Sequence, residues 1–229
     1  MYCIPCRGII TKDVFIMKTK EFFNTKNLVI LGLMTALVIV FSMTPIGSIP
    51  VNPELSITLN VIPIAIAAVA CGPIGGAIVG GVFGIFSFLQ CFSIGVPSGL
   101  GAALLNVSPV FCFIQRFIPR LLDGFLTGLV FSALKNKTSK PISCGITGFC
   151  AAFFNTVLFM TALVVLFYNT DKLNELRDGK NVIWFIITFV GFNALLEMAV
   201  STVVTSAVGT ALFKARLIPS QKSKTAEAN

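Results

Sequence analysis

Residues 109–134 read PVFCFIQRFIPRLLDGFLTGLVFSAL, a mostly apolar stretch that carries three charges, Arg116, Arg120 and Asp123. About 20 apolar residues suffice to cross the roughly 30 Å hydrocarbon core of a bilayer as a helix. A charge near the bilayer centre costs roughly 2.5–3.5 kcal/mol by insertion scales. Charges kept at that cost face a bundle interior, pair with one another or hold a polar ligand. Arg116 and Arg120 are four residues apart and share a helical face, and Asp123 follows Arg120 by three. Asn106, ahead of Ser108 and Pro109, is the expected cap of this helix.

The rest of the chain has the same character. Of its 229 residues 55% are hydrophobic, with a mean hydropathy of +0.92. Only 11% are charged, against about 25% in ordinary soluble proteins. The pattern predicts an all-α polytopic membrane protein with six spans, at about 28–44, 57–70, 73–92, 109–134, 142–167 and 182–213. Pro63 makes the short second span a candidate for irregularity. Beside the membrane part there is no room for a soluble enzyme domain.

The net charge of +8 is confined to tails and one loop. Lys18, Lys20 and Lys26 precede span 1, Lys135, Lys137 and Lys140 join spans 4 and 5, and Lys214, Arg216, Lys222 and Lys224 follow span 6. With six spans all three segments fall on one side, which the positive-inside rule makes cytoplasmic, so both termini lie inside. A nucleic-acid reader would need a basic face on a soluble fold. Residues 1–16 read as an N-terminal extension or a misassigned start, with Met17 as the alternative, and residues 17–213 as the membrane domain. Residues 214–229 form a basic cytoplasmic tail.

Several chemistries are excluded. The chain has no histidine, which removes His-based catalysis and His-ligated metal sites. It lacks GxxxxGK[ST], so it does not hydrolyse ATP by that route. No cofactor is implied. Cys71, Cys91, Cys112, Cys144 and Cys150 lie in apolar spans and read as small hydrophobes. Cys3 and Cys6 form an isolated CxxC, a weak signal without a second pair.

The candidate site gathers around span 4. That span descends from outside, which puts Arg116 about 10 Å and Arg120 about 16 Å below its start. Gln90 near the outer end of span 3, Asn155 on span 5, and Asn193 and Glu197 on span 6 fall at compatible depths. Two cations, an anion and several amides suit a small anionic ligand. The alternative is a salt bridge of Arg120 with Asp123 or Glu197 that only locks helices together. Gly76, Gly80 and Gly84 form one helical face, as do Gly124 and Gly128, and permit close helix approach. The Gly95–Gly101 segment is either a lid over the bundle or a plain connector.

The order of several motifs is more specific. Leu31-Gly32-Leu33-Met34-Thr35-Ala36-Leu37 follows a basic tail, and Gly72-Pro73-Ile74-Gly75-Gly76 opens span 3. Phe83-Gly84-Ile85-Phe86-Ser87-Phe88, Pro119-Arg120-Leu121-Leu122-Asp123-Gly124 and Phe192-Asn193-x-x-x-Glu197 come later. Over about residues 17–213 the chain resembles the substrate-binding S components of energy-coupling factor (ECF) vitamin transporters. The resemblance implies a six-helix bundle that binds one vitamin from outside. It also implies a partner transmembrane protein and two cytoplasmic ATPases. Gly32 and Ala36 hold the places of the small residues that dock on that partner, where the family usually has alanine at both. Ser56–Pro63 and Ser87–Phe92 are most similar to S components assigned to pantothenate. Trp184 and the many phenylalanines keep folate and riboflavin open. A proton-coupled secondary carrier using Glu197 and a non-transporting scaffold are the readings from other classes.

Overall fold

In the computed structural model the described residues are 25–45, 47–52, 55–135, 137–167, 182–215 and 217. The expected extension at 1–16 and nearly all of the basic tail lie outside them. The helices are α1 (Thr25–Met43), α2 (Val61–Leu89), α3 (Gly99–Val107), α4 (Pro109–Leu134), α5 (Lys140–Phe167) and α6 (Val182–Lys214). Two strands, β1 (Ser48–Asn52) and β2 (Leu55–Thr58), form an antiparallel hairpin between α1 and α2, with Ser48 opposite Thr58.

The solvent pattern of a soluble protein is inverted. Arg116 and Arg120 are 6% exposed and Asp123 is fully buried, whereas Val110, Val165 and Val203 are 66%, 72% and 68% exposed. Water would reverse that arrangement; lipid favours it. Five helices among the described residues are long and apolar enough to cross a membrane.

One of the five, α2, crosses twice. Gly72 takes φ 74° and ψ −165° inside it, a conformation that glycine adopts without a Cβ clash. A Cβ at Gly76 would lie 3.0 Å from the Cβ of Ala68, although eight residues of straight helix rise about 12 Å. The chain therefore reverses at Gly72, and limbs 61–71 and 73–89 run antiparallel. Six passes result. Their ends sort consistently: Cys71 Sγ contacts the Asn27 carbonyl, Gly128 abuts Pro73, and Lys140 lies over the Phe213 ring. Lys26, Lys135, Lys137, Lys140 and Lys214 thus share one end. At the other end Gln90 donates to the Ser42 carbonyl.

The second span differs from the expectation. Residues 57–60 are not helical; Ile57 lies in β2 and the helix starts at Val61. The outer part of this pass is extended backbone, tolerated at depth only where protein covers it. Pro63 sits in the first helical turn, where the missing N–H removes no helix bond and makes no kink.

Limb 73–89 and α4 pack backbone against backbone. A Cβ at Gly76 would run into the Gly124 carbonyl, one at Gly80 into the Arg120 carbonyl, and one at Gly84 would lie 3.2 Å from the Arg116 carbonyl. This glycine seam sets the height of both arginines along the bundle.

Candidate functional site

The cap of α4 is Ser108, whose hydroxyl accepts from the Phe111 N–H at 3.5 Å. The expected cap, Asn106, is instead exposed within α3. With Pro109 at its first turn, α4 starts cleanly and aims its buried stripe, Cys112, Gln115, Arg116, Pro119, Arg120 and Asp123, at the bundle.

Gln90, Arg116, Arg120, Asn155, Asn193 and Glu197 all line one cavity. Its empty volume is about 820 Å³, counting the open mouth. Phe83, Ser87, Ser98, Thr156 and Phe159 add to the wall. Val96, Pro97 and Leu100 line it as well, so the segment before and into α3 forms part of the wall.

Arg120 is fixed by three groups. It donates to Asn155 Oδ1, and its guanidinium lies 4.9 Å from the Phe83 ring centre and 4.7 Å from that of Phe159. A desolvated cation–π contact contributes about 2 kcal/mol, and a hydrogen bond from a charged group about 1.5–3. Together they offset the roughly 3 kcal/mol cost of the buried charge without a carboxylate. The expected pairing with Asp123 is not made. Asp123 accepts from Thr127 at 3.3 Å, and its other oxygen has no partner. Glu197 accepts the Thr58 N–H at 2.7 Å and so ties the inner end of β2 to α6.

Arg116 donates to Ser98 Oγ at 3.0 Å and to Ser87 Oγ at 3.4 Å, and stands 5.3 Å from the Phe159 ring centre. Ser98 also caps α3 by accepting from the Gly101 N–H at 3.1 Å. Room for the guanidinium exists because residue 101 is glycine: a Cβ there would lie 2.8 Å from Arg116 Nη2. In both arginines Nε is buried and unpartnered. The cavity is lined by two cations against one anion.

Phe83, Phe159 and Ser98 were not singled out from sequence. Phe159 sits four residues after Asn155 and so on the same face, a signal hidden among 22 phenylalanines. Trp184 belongs to a stretch of α6 whose side chains are outside the described residues.

A multi-pass helical bundle with a buried, cation-lined polar cavity defines a membrane-embedded small-molecule binding protein. Residues 26–209 match the family described as "ECF transporter, substrate-specific component", and the chain belongs to that family. It is thus a vitamin-binding subunit of a bacterial plasma-membrane importer that works with an ECF module. A "Pantothenate transporter PanT" of Leuconostoc mesenteroides is 29% identical over 199 residues, which cover 85% of this chain and 93% of the relative. A "Pantothenic acid transporter PanT" of Lactococcus lactis is 30% identical over 174 residues, 73% of this chain and 81% of the relative.

Proposed function

We propose that the vitamin is pantothenate and that Arg116 and Arg120 hold its carboxylate. The observation that carries this is the pair of guanidiniums lining one cavity with no carboxylate bonded to either. Pantothenate is a monoanion with one amide and two hydroxyls. Two cations and one anion line the cavity, and a monoanion balances them. Gln90, Asn155 and Asn193 supply amides for the uncharged part, with Glu197 beside them. Folate carries two carboxylates and a flat ring, and riboflavin is uncharged. Phe83 and Phe159 already stack on Arg120, so they are poor candidates to sandwich a flat ring. The names of the two relatives point the same way.

The finer partner assignment is a transmembrane coupling protein and two cytoplasmic ATPases, docked on α1. Gly32 and Ala36 are exposed, and a Cβ at Gly32 would meet nothing within 4 Å. That leaves a shallow place where another helix fits.

Calorimetric titration of the purified protein with pantothenate, folate and riboflavin tests the ligand. Tight binding of pantothenate alone is expected; no heat with pantothenate and binding of another vitamin would sink the assignment. Uptake that persists without the ATPases would favour a self-sufficient carrier instead.

A further inference from the structure

Cys91 lies in the turn that ends span 3 (Gln90–Phe92) and Cys112 in the first turns of α4. Both are free thiols, both are buried, and Cys112 Sγ donates to Cys91 Sγ across 3.6 Å. A third element joins them to the cavity. The Gly101 carbonyl stands 3.8 Å from Cys112 Sγ, and a Cβ on Gly101 would lie 2.6 Å from Cys91 Sγ and 2.8 Å from Arg116 Nη2. Residue 101 is thus wedged between a thiol and the guanidinium.

Apolar packing explains one buried cysteine. It does not select two thiols in contact, one of them a single turn before Arg116, at the outer end of the bundle. The outer side of the membrane is the oxidising side. We propose that Cys91 and Cys112 form a dithiol redox site that hydrogen peroxide closes to a disulfide, and that closure displaces Arg116 and weakens ligand binding. The second half rests on the reading of Arg116 as a ligand contact; the first half does not.

The chemistry balances. Cys91 sulfur attacks one peroxide oxygen, the O–O bond breaks, and the departing hydroxide takes the thiol proton and leaves as water. Cys112 sulfur then attacks the resulting sulfenic sulfur, the S–S bond forms, the S–O bond breaks, and the second water leaves with the second thiol proton. Two thiols lose two electrons and two protons, and one peroxide takes them up to become two waters.

A disulfide is about 2.05 Å long, so the sulfurs must approach by roughly 1.5 Å. That movement falls on the turn holding Gln90, on Gly101 and on the start of α4. These border the space in which Arg116 meets Ser98. Gln90 and Leu100 line the cavity, and Leu100 packs in one core cluster with both cysteines, so a ligand in the cavity should slow a small oxidant that enters from that side.

The full-length protein in detergent, treated with hydrogen peroxide, alkylated and digested, provides the test. A peptide linked through Cys91 and Cys112 is expected, formed more slowly when pantothenate is present. Affinity for pantothenate should fall by about tenfold, the scale of one charge-assisted hydrogen bond, and return after thiol reduction. The Cys91→Ser and Cys112→Ala variants should keep their affinity through the same treatment. No linked peptide, or a linked peptide with unchanged affinity, overturns the proposal. If neither variant folds, the peptide map and reversible loss in the unmodified protein decide it. Should the reduced protein bind no pantothenate, the ligand reading fails, and the peptide map alone upholds or overturns the dithiol site.

Discussion

Helix α4 makes two interfaces of opposite kinds. Against limb 73–89 it presents backbone: Gly124 meets the Gly76 carbonyl and Gly80 meets the Arg120 carbonyl. Toward α5 and α6 it presents long charged side chains that reach Asn155, Phe159 and the cavity. The first interface leaves no gap and the second leaves an open one. The difference separates two jobs that a single helix must do. Close backbone contact fixes where the arginines sit, while the other face leaves room for a cavity.

Breaking the seam should have the largest effect. Gly124→Leu places a side chain on the Gly76 carbonyl, and overpacking of a site that cannot yield exceeds the usual 1–3 kcal/mol. Loss of monodisperse protein in size-exclusion chromatography is the expected outcome; a variant with wild-type melting temperature and binding would show that the seam does not position α4. Next comes the cavity side. Arg120→Ala should leave a folded protein whose pantothenate affinity drops by about 100-fold, the upper range for a charge-assisted contact. Arg120→Lys should not restore it, because an ammonium lacks the planar fork. Arg116→Ala is expected to cost about tenfold, because Arg116 has only the two serines and one ring to hold its direction. Calorimetry that finds the two arginine variants equal would erase the distinction between a deep and a shallow grip. The smallest effect on binding belongs to the exposed face of α1. Gly32→Leu should change stability by no more than about 0.5 kcal/mol and leave vitamin affinity alone. Uptake by cells with the complete ECF module should nevertheless fall. Normal uptake would move the docking surface elsewhere.

The long spans were legible because their punctuation is strong. Pro109 opens α4 after Ser108, and lysines bracket the turn before α5. The second span was misjudged at its start because Leu55-Ser56-Ile57-Thr58 alternates apolar and polar, the two-residue period of a strand. Set beside an apolar run, Ile57 and Thr58 read as the start of the helix that follows. The six site residues were chosen by depth and polarity, and depth alone brings residues of different helices to one level. Partner choice was less accessible. The i, i+3 spacing nominated Asp123 for Arg120, but the bundle offers Asn155 from a neighbouring helix and two aromatic faces. The thiol contact is equally tertiary: Cys91 and Cys112 are 21 residues apart and meet only because α3 folds back between them.

The bond from the Thr58 N–H to Glu197 joins residues 139 apart in the chain. During synthesis the strand hairpin leaves the ribosome early, while its anchor arrives with the last helix. Until then the Thr58 amide lacks this acceptor, and the hairpin cannot settle against α6. Contacts so distant in sequence form late. The vitamin site is therefore the last part of the molecule to be finished, and a chain that stops short of α6 could insert its earlier helices and still hold no ligand.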